Sequence, residues 1–121
     1  QKCLKAKKLN IPFEILGDGT PRRDFIFMED VKHIINQLMH IKHSGPLILS
    51  SGTNVSIREV ANEIVNACGF DGEVVWKPDN NLGQQDKLPS NNKLIELLPE
   101  LIFTPIDEGI KKTVWWHIQE N

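Results

Sequence analysis

Apolar positions recur along this chain in helical rhythm over three stretches. Val31, Ile34, Ile35, Leu38 and Ile41 form one stripe, which predicts a helix from about Glu29 to Lys42. Glu29 and Asp30 at its start and Lys42 and His43 at its end suit the helix dipole, and Ser44-Gly45-Pro46 stops it. Ile57, Val60, Ala61, Ile64 and Cys68 repeat the pattern up to about Cys68. Ser56 and Glu59 make a capping box at its start, and Gly69 is a natural left-handed terminator. The last helix opens at Thr104-Pro105, with Pro105 at its first position and Ile106, Ile110, Thr113, Val114 and His117 as its inner stripe.

Shorter elements fill the gaps. The KCLKAKK segment reads as the last turns of a helix ended by Asn10 and Pro12. It has no N-cap and starts in mid-pattern, as if continuing a longer chain upstream. Pro12–Leu16 alternates loosely as a strand, Gly17–Pro21 is a turn cluster, and Asp24–Phe27 is a short extended piece. Leu47-Ile48-Leu49 is short, continuous and apolar, the pattern of a buried strand. Another strand is expected over Glu73–Trp76, and a short helix from Ser90 to about Leu98, stopped by Pro99. Residues 77–89 show little periodicity, and loops of that length in compact domains are usually functional or disordered. The order predicts one small mixed α/β domain over residues 1–121.

Composition narrows the picture. With 14 Lys+Arg against 16 Asp+Glu, and 40% hydrophobic residues, this is ordinary globular protein. Near-neutral charge leaves no footprint for nucleic acid or an anionic membrane. The apolar runs fall far short of the roughly 20 residues a membrane helix needs. Cys3 and Cys68 have no CxxC partners, and the four histidines form no metal-binding pattern. The expectation is two reduced, buried thiols in a cytoplasmic protein, with no metal site. No GxGxxG, phosphate-binding loop, nucleophile elbow or catalytic triad is present.

Three places could carry chemistry. In GDGTPRRDF, a glycine turn delivers two arginines onto an extended segment. Alternation puts only one of Arg22 and Arg23 on a given cleft, where a guanidinium suits phosphate oxygens. The plainer reading is a surface turn whose arginine pairs with Asp18 or Asp24. Lys87, among Gln84, Gln85 and Asp86, could close over an anionic ligand or simply be solvated. Asn80, Asn81, Gln84 and Gln85 offer amides that suit a polar ligand, and are also normal loop composition. Trp115 and Trp116 are adjacent on a helix, so at most one lies fully on the core face, and packing in a core or interface is the simpler role.

The run ILGDGTPRRDFIFMEDV resembles a motif of extended short-chain dehydrogenase/reductases that act on nucleotide sugars. The stretch from LILSSGTNVSIREV through the Lys87 loop, and the closing LPELIFTP with its aromatic pair, look like the C-terminal part of the GDP-L-fucose synthase branch. The resemblance covers essentially the whole chain. It implies a substrate-binding domain that completes an N-terminal Rossmann domain absent from this sequence. NADP and the Ser, Tyr-x-x-x-Lys site would belong to that absent half, as would the catalytic Cys and His of the epimerisation. The intact enzyme would be a homodimer that epimerises and reduces a GDP-4-keto-6-deoxy sugar with NADPH. By motif position, Arg23 would contact the diphosphate, Lys87 would lie near the nucleotide, and Asp30 would be structural. Leu16, Leu82 and Asp86 depart from the family pattern, which leaves open another nucleotide sugar, such as a heptose conjugate. A 4-epimerase, a 4,6-dehydratase or a non-catalytic interaction domain remains an alternative.

Overall fold

A computed structural model of the chain describes residues 1–79 and 83–120. In chain order the elements are α1 (Lys2–Leu9), β1 (Phe13–Leu16), β2 (Arg22–Asp24), α2 (Met28–Leu38), β3 (Asn54–Ser56), α3 (Ile57–Cys68), β4 (Val74–Lys77), β5 (Asp86–Lys87), α4 (Asn92–Leu97) and α5 (Ile106–Gln119). The strands form two small sheets. In one, β1 and β4 run parallel; in the other the order is β3-β2-β5, with β2 antiparallel to β3 and parallel to β5. The chain is therefore the mixed α/β domain that the sequence predicts.

Two hydrophobic clusters hold it together. Cys3 and Ala6 of α1, Phe13 of β1, Cys68 of α3 and the adjacent Phe70 are buried in the first. Phe13 and Phe70 meet edge to face, with ring centroids 6.1 Å apart. The second gathers Ile34, Leu94 and Leu98, with Leu47 and Leu49 packed on it. Burial, and then a hydrogen bond with Cys68, push the Cys3 thiol up to about 12. Both thiols are free and buried. Since the thiolate is the reactive form, Cys3 is inert at neutral pH.

Local signals set the helix ends. Asn10 closes α1 in the left-handed conformation at φ 50°, and Gly69 closes α3 at φ 56°. The α3 capping box is complete: the Glu59 amide donates to Ser56 Oγ at 3.1 Å, and the Glu59 carboxylate accepts from the Ser56 amide at 2.7 Å. Ser56→Ala should lower stability by about 1 kcal/mol, read as a shift of the urea midpoint at constant slope. The two Ser56 hydrogen bonds hold the Glu59 carboxyl below its ordinary 4.5. Its contribution is thus fully present above about pH 4.5 and is lost as pH falls through the lowered folded value. Acid titration of wild type against Glu59→Gln should show that difference shrinking below pH 4.5.

Several expectations are corrected. Helix α2 ends at Leu38 rather than Lys42, and Ile35 of its predicted stripe is 47% exposed. Helix α5 begins at Ile106, which puts Pro105 at the cap rather than at the first helical position. Leu47–Leu49 is not a strand: Leu47 and Leu49 pack on the second cluster, Ile48 is exposed, and no ladder partner is offered among the described residues. A run buried on both faces needs layers on both faces, and here only one is covered. The stretch 77–89 includes regular structure among its described residues, since it contains β5. Of the core or interface role expected for Trp115 and Trp116, the core half does not hold: they are 65% and 57% exposed.

Candidate functional site

Strand register decides which side chains meet. On the central strand β2, Arg23 is aligned with Val55 of β3 and with Lys87 of β5. Aligned residues on neighbouring strands project from the same face of a sheet. The β2–β5 ladder therefore brings Arg23 and Lys87 side by side on one face. Arg22 is aligned with Ser56 and Asp86, which share the opposite face.

The two arginines differ in their partners. The Arg22 guanidinium lies 3.6 Å from the Glu59 carboxylate and donates to the Asn54 carbonyl. Arg22 thus ties β2 to β3 and to the start of α3. The expected pairing with Asp18 or Asp24 does not occur, because both carboxylates are committed elsewhere. Asp18 accepts from the amide and hydroxyl of Thr20 at 2.9 and 2.7 Å, and the Thr20 amide leads in holding its carboxyl below the usual range. Asp24 accepts from the amide and hydroxyl of Ser51. Arg23 has no carboxylate partner among the described residues. Its guanidinium donates to the carbonyls of Arg22 at 2.6 Å and Gln85 at 3.2 Å. Lys87 is exposed and has no ion pair among the described residues. Two cations share a face that carries no described counter-charge, which is an arrangement suited to an anion.

Beside this pair lies a hollow of about 130 Å³, lined by Phe25, Ser51, Thr53, Val55, Phe103 and Thr104 among others. Val55 belongs both to the Arg23 face and to the hollow, so the two adjoin. Aromatic rings and hydroxyls around one cavity suit a ring system with polar edges. Sequence reasoning missed this hollow because Phe25, Thr53 and Phe103 are far apart in the chain. Asp30 is structural: its carboxylate accepts from the amide and hydroxyl of Thr104, both at 2.8 Å, and so fixes the entrance to α5. Gln84 and Gln85 are exposed beside β5. Asn80, Asn81 and Leu82 lie outside the described residues.

The predicted inner stripe of α5 lines a second hollow, of about 470 Å³, shared with Leu4 of α1, Ile64 of α3 and residues 25–28. Its lining is mostly apolar, with Gln1, Thr104, Thr113 and His117 as the polar members. No cluster of His, Cys, Asp and Glu that could hold a metal occurs among the described residues. No helix among them is long and apolar enough to cross a membrane.

Among the described residues, the Gly17–Pro21 turn and the start of α3 do not have the form of a dinucleotide site. Dinucleotide sites set a glycine turn between a strand and the N-terminus of a helix, with free amides aimed at the pyrophosphate. Here the Gly17–Pro21 turn leads from one strand into another. The amides of Ile57 and Arg58 at the start of α3 are taken by the Pro21 and Gly19 carbonyls, each at 2.9 Å.

No family model matches the chain. Its fold recurs in a solved UDP-glucose 4-epimerase from Thermotoga maritima, which overlays 98% of the chain with a TM-score of 0.81 at 21% identity. Fold and sequence together place it among the short-chain dehydrogenase/reductases of the nucleotide-sugar epimerase/dehydratase type. Within that class the chain is similar to GDP-L-fucose synthases over nearly its whole length. GDP-L-fucose synthase of Dictyostelium discoideum is 38% identical over 120 residues, which are 97% of this chain and 38% of that protein. The crystal structure of a GDP-L-fucose synthetase from Naegleria fowleri bound to NADP matches 98% of the chain and 37% of its own length, with a TM-score of 0.92 at 32% identity. The chain thus spans less than two-fifths of each of these two relatives.

Proposed function

We propose that this chain is the nucleotide-sugar-binding part of an NADP-dependent epimerase/reductase of the GDP-L-fucose synthase type. The observation that carries the reading is the β2–β5 register, which sets Arg23 and Lys87 on one face without a described counter-charge. On this reading the two cations hold the diphosphate, and the hollow at Phe25, Thr53 and Val55 takes the base. The domain's part in catalysis is then orientation: binding energy spent on the nucleotide places the sugar carbon for reaction. NADP supplies or accepts hydride when bound, and it would be bound by a Rossmann domain outside this sequence.

The Leu47–Leu49 segment supports such a partner. It is packed on one face, exposed at Ile48, and without a described ladder, so a neighbouring element could cover it. The exposed Trp115 and Trp116 favour a further contact surface, either to that domain or to another protein. They are the specific reason to retain the interaction-domain reading as second. The specific sugar, the homodimer and the cytoplasmic location belong to the proposal as well.

Titration of the isotope-labelled chain with GDP tests the reading. Shifts should concentrate at Arg23, Phe25, Val55 and Lys87, and UDP and dTDP should bind more weakly than GDP. Shifts confined to the 470 Å³ hollow or to Trp115 and Trp116, with Arg23, Val55 and Lys87 unmoved, would move the assignment to the interaction reading. A preference for UDP or dTDP would move it to a 4-epimerase or 4,6-dehydratase.

A further inference from the structure

The two sheets share no strand, and the turn at residues 17–21 is the covalent link between β1 of one and β2 of the other. Its ends are ladder bonds: the Gly17 amide donates to Lys77 at 2.8 Å, and the Arg22 amide donates to Gln85 at 2.7 Å. Between those ends, Arg58 grips the turn twice. Its main-chain amide donates to the Gly19 carbonyl at 2.9 Å, and its guanidinium donates to the Asp18 carbonyl. The same guanidinium lies 4.5 Å from the centroid of the Trp76 ring. Gly19 is buried between them, so close that a Cβ there would lie 2.7 Å from Trp76 Cη2 and 2.9 Å from Arg58 Cβ. One side chain therefore holds a turn carbonyl of the β1–β2 link and the ring of a β4 residue at once.

We infer that Arg58 is a positioning residue for the anion-binding face: it fixes the turn against Trp76, and so sets where β2 enters its ladder with β5 and keeps Arg23 level with Lys87. The ladder between β2 and β5 is only two residues long on β5, so it has little hold on its own register. The constraint must come from outside the ladder, and the turn immediately before Arg22 is the nearest place to apply it. Arg58 acts through its contacts with Asp18, Gly19 and Trp76 and needs no contact with the ligand. The part of the inference that concerns ligand affinity rests on the nucleotide reading of the face; the part that concerns register does not.

The test compares Arg58→Met, which keeps the stem and removes the cation, with Arg58→Lys, which keeps a cation over the ring and a donor for the carbonyl. Trp76→Leu removes the other half of the grip and serves if Arg58→Met does not fold. Amide exchange at Arg22 reads the β2–β5 ladder, and exchange at Phe70, bonded to Val65 at 3.0 Å, reads the domain as a whole. In Arg58→Met, or in Trp76→Leu, the Arg22 amide should exchange about tenfold faster while Phe70 changes less than about twofold. Arg58→Lys should recover most of the protection. GDP affinity should fall about five- to tenfold in Arg58→Met and return in Arg58→Lys. Unchanged exchange at Arg22, equal acceleration at Phe70, or no rescue by lysine would overturn the positioning role. If the wild-type chain does not bind GDP while Arg22 exchange behaves as expected, the nucleotide reading fails and the positioning role stands.

Discussion

Gly19→Ala is expected to cost about 2–5 kcal/mol of folding stability, the largest single-residue effect that we predict. Two costs add. Gly19 has φ +77°, in the left-handed region, where a Cβ costs about 1–2 kcal/mol. It is also buried, and the new methyl would sit 2.7 Å from Trp76 Cη2 and 2.9 Å from Arg58 Cβ. Displacing well-packed neighbours costs about 1–3 kcal/mol more. Trp76 has little freedom to retreat, because the Arg58 guanidinium covers its ring. Gly17 supplies the control: its φ is +86°, but a Cβ there would meet nothing within 4 Å. Gly17→Ala should therefore cost only the backbone share, about 1–2 kcal/mol. Urea unfolding of both variants decides the matter. Equal losses would mean that the close packing over Gly19 contributes nothing. Domains are stable by only about 5–15 kcal/mol, so Gly19→Ala should also raise the unfolded population measurably at 37 °C.

Arg23→Ala should weaken GDP binding about tenfold to a hundredfold, while Arg22→Ala should leave it within about threefold. The asymmetry follows from partners. Arg23 is held by two backbone carbonyls and faces the same side as Lys87, so its charge is available to an incoming anion. Removing one partner of a charge-assisted pair costs about 1.5–3 kcal/mol, which sets the fold-change. Arg22 is 3.6 Å from Glu59, with both side chains well exposed to solvent. Exposed pairs contribute about 0–1 kcal/mol, so Arg22→Ala should shift the urea midpoint slightly and binding little. Lys87→Ala should act in the same direction as Arg23→Ala. Competition between the two substitutions, measured in a double-mutant cycle, would show coupling because the two cations address one ligand. An Arg23→Ala variant that loses stability but keeps GDP affinity would return the arginine to a structural role.

Much of the fold could be read from local patterns. The capping box at Ser56 and Glu59, the terminators Asn10 and Gly69, and the stripe of α3 are determined by neighbours within four residues, and they stand where the sequence places them. The order of the helices, and the preference for one of two adjacent arginines on a given face, also follow from short-range periodicity, whereas β3 and β5 do not: the strand expected at Leu47–Leu49 is absent. What needed the tertiary structure is contact across long stretches of chain. The alignment of Arg23 with Lys87 joins residues 23 and 87, and no local rule fixes which residues of a two-residue strand will pair. The diversion of Arg22 to Glu59, and of Asp24 to Ser51, likewise depends on where α3 and residue 51 come to rest. The sequence also overstates burial. Leu47–Leu49 and the two tryptophans have the composition of packed surface, but composition does not say which layer lies against them. In this domain no layer covers Ile48, Trp115 or Trp116, and that is decided by the arrangement of the whole chain rather than by any segment of it.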